Sequence, residues 1–283
     1  MTWTFSESVA EFQQHAGEYL RGRPVENTVL LTLTHQLAAG GAAGGDPALG
    51  PRFGWWRPGP GEPVAGACLQ TPPQPIRLGT MPPAAAVQLA DTLPWPELAG
   101  AGGPADRTRA FAQRWSERTG AAVTVNQEQR LFRLGGLTAP TEVPGRLRRG
   151  TEADAELLVD WFARFASAVD FAPRDVPGII ARRLGSDDLH LWEYPAGRPV
   201  SMAGLSPVLA GMTRIGPVYT PEDQRGRGYA SAVTAAVSAL GRERGAREVL
   251  LFTDLANPTS NSIYQKLGYR PVDDSVILDF RRA

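Results

Sequence analysis

Apolar and polar positions along this chain follow two periods, one helical and one strand-like, and the switches between them predict a mixed α/β protein. In the C-terminal half, Leu157, Leu158, Trp161, Phe162 and Phe165 share one helical face and predict a helix over 152–168. A shorter helix is expected at 176–184. Apolar runs at 189–194 and 199–205, joined by a turn at 195–198, predict two strands, and a third is expected over 212–219. Val233, Ala236, Val237 and Leu240 form the stripe of a helix over 228–244, with Gly245 placed to cap its end. A strand at 248–253, a helix at 259–267 closed by Gly268, and a strand at 275–280 complete this half.

The N-terminal half carries the same order in blurred form. Ser6 or Ser8 is available to cap a helix over 11–20, followed at 28–33 by a strand or a continuation of helix. Residues 54–57 and 64–71 read as a hairpin around Gly59-Pro60-Gly61, 76–80 as a strand, 84–92 and 104–119 as helices, and 123–134 as a last strand. Between the halves, Gly135-Gly136 through Thr138-Ala139-Pro140 to Pro144-Gly145 reads as a linker, since such residues neither propagate helices nor pair in central strands. Two domains are therefore expected, 1–136 and 146–283, each a mostly antiparallel mixed sheet flanked by helices.

A length of 283 residues and an apolar fraction of 42% suit two cores of ordinary size. The 29 basic and 29 acidic residues balance, which removes the electrostatic reason to expect a nucleic acid or an anionic membrane as partner. No apolar run approaches the ~20 residues that cross a bilayer. The N-terminus lacks a basic and apolar leader pattern, and Cys68 is the only cysteine, so a cytoplasmic protein without an intramolecular disulfide is expected. One cysteine with His15, His35 and His190 leaves no expected metal site, and Cys68 itself reads as a buried thiol.

The chemistry concentrates in Ile215-Gly-Pro-Val-Tyr-Thr-Pro-Glu-Asp-Gln-Arg-Gly-Arg-Gly-Tyr-Ala-Ser231, a strand, a turn and a helix start. Gly226 and Gly228 let the backbone turn tightly and approach a ligand. The amides from about Arg225 through Tyr229 to Ala230 leave the first helical turn without intrahelical partners, which makes an anion site, and Arg225 and Arg227 add charge suited to a pyrophosphate. A Walker A loop would need Gly-Lys-Ser/Thr, and a dinucleotide fingerprint would need a third glycine where Ser231 stands. The first half has Met81-Pro82-Pro83 in the matching place, and two prolines cannot donate hydrogen bonds to a phosphate.

Arg225-Gly-Arg-Gly-Tyr-Ala230 resembles the Gln/Arg-x-x-Gly-x-Gly/Ala signature of the GNAT superfamily of N-acetyltransferases. Downstream, Asn257-Pro-Thr-Ser-Asn-Ser-Ile-Tyr-Gln-Lys-Leu-Gly-Tyr269 resembles that family's Asn-x-x-Ala-x-x-x-Tyr-x-x-x-Gly-Phe/Tyr motif. The resemblance covers about 147–280. It implies a tandem GNAT-like architecture with an active C-terminal domain, and a first domain that is a degenerate copy without a cofactor site. It implies acetyl-CoA as the acyl donor, its pyrophosphate on the first motif and its pantetheine arm along Val218, Tyr219 and Thr220, on a strand bulged near Gly216-Pro217. Asn257 and Asn261 would contact pantetheine or pyrophosphate, although Asn257 equally suits a helix N-cap before Pro258.

The resemblance further implies direct transfer with amine and acetyl-CoA bound together. An N–H near Val218 or Tyr219 would stabilise the developing oxyanion, and Tyr264 would protonate the leaving thiolate. Tyr264 also lies beside Ile263 and Leu267 on a helix and would pack in any case. The strand 212–220 contains no carboxylate to serve as base; Glu193 is the first choice, with His190, Asp254, Glu222 or a water chain as substitutes. The expected activity is acetylation of a primary amine on a small molecule, by a monomer or homodimer. A protein or peptide amine as acceptor, and a non-catalytic acetyl-CoA-binding regulatory module, are the alternatives.

Overall fold

The computed structural model describes residues 2–41, 45–169, 173, 175–195 and 197–281. Two compact units emerge, Met1–Arg130 together with Asp273–Ala283, and Leu131–Val272.

The first unit runs β1 (Thr2–Ser6), α1 (Val9–Gly22), α2 (Thr28–Ala38), β2 (Arg52–Arg57), β3 (Gly66–Gln70), β4 (Ile76–Leu78), α3 (Pro83–Thr92), β5 (Gly100–Pro104), α4 (Ala105–Thr119) and the 122–130 part of β6 (Ala122–Leu134). Ser8 caps α1, its side chain accepting from the Glu11 amide at 3.3 Å. The ambiguous segment at 28–33 is helix: Thr32 turns its hydroxyl back onto the Thr28 carbonyl at 2.9 Å, which satisfies a β-branched residue inside a helix. β1 through β4 pair antiparallel in chain order, and β4 pairs with β5 in parallel. β1 and β5 fall outside the predicted strands.

The second unit runs from the end of β6 through β7 (Arg146–Arg149), α5 (Ala155–Ala168), α6 (Val176–Gly185), β8 (Leu189–Tyr194), β9 (Arg198–Leu205), β10 (Met212–Tyr219), α7 (Tyr229–Glu243), β11 (Glu248–Asp254) and α8 (Pro258–Lys266) to the start of β12 (Tyr269–Arg281). β7, β8, β9 and β10 pair antiparallel in succession, and β10 pairs in parallel with β11. Residue 196 of the expected hairpin turn lies outside the described residues. The two faces of this sheet are filled separately. Ala203, Leu205 and Ile215 pack with Val233 and Val237 of α7 on one face. Met202, Leu191 and Tyr219 pack with Leu158, Trp161 and Ile180 of α5 and α6 on the other.

The division differs from the expected one at the far end of the chain. Residues 273–281 of β12 belong to the first unit, and 275–279 pair with β5, Ser275 opposite Pro104 and Asp279 opposite Gly100. Val276, Leu278 and Phe280 enter that unit's core, where the Phe280 ring stacks on Trp115 and Phe111 at centroid distances of 6.4 Å. An apolar alternation that buries its side chains in another unit's core is read from sequence as a strand, but nothing in it names the core.

Candidate active site

The parallel ladder between β10 and β11 begins at Met212–Glu248 and ends at Ile215–Leu251, although both strands run on. The register of β10 against β9 shifts between Ile215 and Val218, so a bulge sits at Gly216-Pro217, where the sequence leads one to expect it. A bulge bends its strand, and the parallel ladder with β11 stops at this point. Over 216–219, β10 keeps β9 as partner on one edge and has no ladder pairing with β11 on the other among the described residues. Val218 is half-buried. Tyr219 is buried, its ring 6.0 Å from that of Trp161. Ser201 fixes the end of the strand: its hydroxyl donates to the Tyr219 carbonyl at 3.0 Å and lies 2.8 Å from the Thr220 hydroxyl.

At the end of this strand the chain turns into α7. Gly226 and Gly228 have φ of 77° and 81°, the left-handed region that a side chain disfavours, and Gly228 is the N-cap of α7. A Cβ on Gly228 would stand 2.9 Å from a methyl of Val143. Arg225 is tied to its own loop, with Nε donating to the Thr220 carbonyl at 3.2 Å and Nη1 3.6 Å from Glu222. Arg227 is exposed and has no ion pair among the described residues. Tyr229 is buried against Tyr194, edge to face at 6.2 Å, so its side chain packs while its amide stays in the first turn of α7. Ala230 follows, half-buried.

On α8, Asn257 is the N-cap, its side chain accepting from the Ser260 amide at 3.0 Å. That oxygen is therefore committed to the helix. Asn261 differs. Its Nδ2 donates to the Asp254 and Asn257 carbonyls at 3.1 and 2.8 Å, while its buried Oδ1 accepts no hydrogen bond from the described residues. A buried acceptor held in place with no donor is costly and fits a ligand N–H, such as a pantetheine amide. Tyr264 is buried, stacks edge-on against Tyr269 at 6.1 Å, and its hydroxyl has no hydrogen-bond partner among the described residues. Burial pushes its pKa up to about 12.

The candidate bases fare differently. Glu193, at the end of β8, lies between two guanidinium groups of β7: Arg146 reaches it at 3.0 Å, and Arg148 binds it while also gripping Asp154 at 2.7 Å. The hydrogen bonds from Arg146 and Arg148 hold its carboxyl below the usual range, and a carboxylate so paired is a poor proton acceptor. The preference for Glu193 is thus corrected: it is an ion-pair residue of the β7–β8 edge. His190 is buried, with desolvation lowering its pKa to about 4. It sits opposite Ala203 and therefore on the α7 face, away from Tyr219. Glu222 is exposed beside Arg225. Asp254 accepts from the Ala256 amide at 2.7 Å and so turns back onto its own loop.

In the first unit, the turn into α3 is built from Met81, Pro82 and Pro83, with Pro82 as N-cap. Its polar groups are engaged by neighbouring side chains. Arg107 Nε donates to the Met81 carbonyl at 3.0 Å, and the Thr80 amide donates to Asn27 at 3.0 Å.

A cavity of about 280 Å³ in the second unit opens against the Tyr219 face of β10. Asp160, Trp161, Arg198, Pro221 and Asp223 are among its walls. None of these five carries a sequence signal for the site; Trp161 also belongs to the core beneath α5, and burial on a helical stripe and contact with a cavity look the same in one dimension. Among the described residues there is no cluster able to hold a metal ion, and no helix long and apolar enough to cross a membrane.

The family model described as FR47-like protein matches residues 198–278, the stretch that contains β9, β10, the glycine turn and α8. No curated protein matches the sequence. Solved structures match the whole chain. A GNAT-family acetyltransferase from Colwellia psychrerythraea is 11% identical, with a TM-score of 0.60 and full coverage of both chains. A GCN5-related N-acetyltransferase from Sphaerobacter thermophilus is 15% identical, with a TM-score of 0.62, covering 99% of this chain and 96% of the other. A tandem GNAT protein from the clavulanic acid biosynthesis pathway is 12% identical, with a TM-score of 0.57, covering 99% and 98%. The fold read from the two motifs is therefore the GNAT fold, in tandem over the full chain.

Proposed function

We propose that the second unit is an N-acetyltransferase that acetylates the primary amine of a small molecule, with amine and acetyl-CoA bound together. The observation that carries this reading is the gap opened where β10 leaves β11 after Ile215–Leu251. The glycine turn into α7 stands at one end of it, and α8 beside β11 brings Asn261 and Tyr264. Acetyl-CoA supplies an activated acyl thioester. The residues supply the rest.

The turn amides of 225–230 and the unpaired Arg227 hold the diphosphate, and Arg225 keeps the turn in shape. Asn261 Oδ1 accepts from an amide of the donor's arm. The unladdered amides of β10 near Val218 and Tyr219 face the acyl oxygen as its negative charge develops, in a site whose donors need no reorganisation. Tyr264 keeps its proton through the neutral range and gives it to the departing sulfur as the C–S bond breaks; the nitrogen, acidic once the C–N bond has formed, releases a proton to solvent, and solvent reprotonates Tyr264. The desolvation that raises the tyrosine raises the basicity of a thiolate formed beside it, so the transfer is not penalised by burial alone. The cavity against Tyr219 receives the acceptor. With Glu193 held by Arg146 and Arg148, the amine enters in its neutral form. For an alkyl amine of pKa ~10.4 that costs about 4–5 kcal/mol at pH 7.

The test is release of free thiol from acetyl-CoA across a panel of small amines, alongside calorimetric binding of acetyl-CoA. Turnover with a small amine supports the reading. Binding without turnover on any acceptor favours a regulatory acetyl-CoA-binding module, and absence of binding removes both.

A further inference from the structure

We infer that Arg183 is the positioning residue of the bulge in β10, a clamp that holds the Gly216 carbonyl over Gly204 and so keeps β10 apart from β11. The inference rests on the reading of the gap as the acyl-donor site.

Arg183 lies in the last turn of α6 and reaches down onto the sheet. Its Nη2 donates to the Gly216 carbonyl at 2.7 Å. Gly216 is the residue after the last β10–β11 pair and lies inside the register shift, with φ of 149°. This hydrogen bond therefore grips the strand at the point where it departs. Among the described residues it is the side chain's only hydrogen bond, and no carboxylate lies within ion-pair distance. Burial pushes the guanidinium pKa down, and the Asp188 carboxylate opposes that from farther away. A desolvated charge with one partner is an expensive way to satisfy one carbonyl, and such groups cluster where geometry serves function.

Gly204 of β9 supplies the space. A Cβ there would overlap both the Arg183 guanidinium and the Gly216 carbonyl oxygen. Arginine, glycine and bulge carbonyl thus form one unit drawn from α6, β9 and β10. A carbonyl pulled toward β9 and the face bearing Arg183 cannot rejoin a ladder with β11. Without the clamp, the bulge relaxes and the gap narrows. Only one N–H is used, so a lysine ammonium of similar reach can replace it, whereas methionine, of similar length and no charge, cannot.

The experiment uses the full chain with R183M, R183K, G204A and the double variant R183M/G204A. Acetyl-CoA affinity is read by calorimetry, folding by thermal unfolding, and the bulge by a crystal structure of R183M. The expected result is affinity weakened roughly tenfold in R183M and in G204A, and recovered to within about threefold in R183K. The double variant should be no weaker than about the worse single one, because both changes break the same contact. Wild-type affinity in R183M, or its crystal structure with the Gly216 bulge and the β10–β11 gap intact, overturns the inference. If the wild-type chain itself does not bind acetyl-CoA, the functional reading falls, and the crystal structure alone decides the clamp. If R183M does not fold, R183K and G204A carry the comparison: equal affinity in G204A and wild type then overturns it.

Discussion

Ile215 and Leu251 are the last pair of residues at which β10 and β11 lie side by side in parallel register. The site follows from what happens next, when β10 bulges and its ladder with β11 stops.

Replacing Tyr264 by phenylalanine keeps the ring and its edge-on contact with Tyr269, and removes a hydroxyl with no hydrogen-bond partner among the described residues. Stability should change little. The kcat should fall by about tenfold or more, with acetyl-CoA affinity unchanged. Equal kcat in steady-state assays would remove Tyr264 from the chemistry.

The pH profile should report the acceptor. If the amine enters neutral, kcat/KM rises about tenfold per pH unit until the amine's own pKa is reached. Tyr264, raised by burial to about 12, remains protonated throughout that range, so no falling limb should appear below the amine's pKa. Initial rates over pH 6 to 10 with two amines of different pKa (about 8 and about 10, by choice of compound) separate the cases. A rising limb that stays put when the amine is changed would point to a base on the protein.

The two glycines of the turn should not be equivalent. At Gly226 a Cβ meets nothing within 4 Å, so alanine there bears only the left-handed backbone cost of about 1 kcal/mol. At Gly228 the same cost is joined by overlap with Val143, for a total of about 2 kcal/mol or more. Chemical denaturation of both variants tests the ordering, and the reverse order would mean that the turn is held some other way.

Glu193→Gln should leave kcat within about twofold, since a carboxylate held by two arginines takes no proton from the acceptor. Its effect should appear in salt-dependent stability. A large loss of kcat with intact acetyl-CoA binding would restore Glu193 as the base.

Phe280→Ala should destabilise the first unit by about 3 kcal/mol, because the ring stacks on Trp115 and Phe111 in that unit's core. Trp115 fluorescence during unfolding is the readout. An unchanged Trp115 transition would show that β12 is dispensable there.

Much of the second unit was legible in sequence because its helices carry broad apolar stripes and its turn carries glycines at forced φ. The strands that escaped have physical reasons. β5 is Gly-Ala-Gly-Gly-Pro, a composition that reads as loop. Side chains at Gly100, Gly102 and Gly103 would overlap Leu278, Arg77 and Leu78, so close packing demands the very residues that erase the strand signal. β7 is Arg-Leu-Arg-Arg, where charge hides a short edge strand. β7 supplies Arg146 and Arg148, the residues that pair Glu193. Asn257 was ambiguous between cap and ligand because one side chain type serves both ends; the hydrogen bond to Ser260 assigns its oxygen to the cap. Arg183 was invisible, because its partner is a backbone carbonyl and no residue pattern records that.

The return of residues 273–281 to the first unit bears on how the molecule is made. A ribosome delivers residues 1–130 first, and β5 can then pair only with β4, because its second partner, residues 275–279 of β12, emerges after residues 131–272. Residues 131–272 have all their own strands by then. The later half is thus the earlier to complete its fold, and the exposed edge of β5 waits through its synthesis, a period in which a nascent chain is open to mispairing or to chaperone capture.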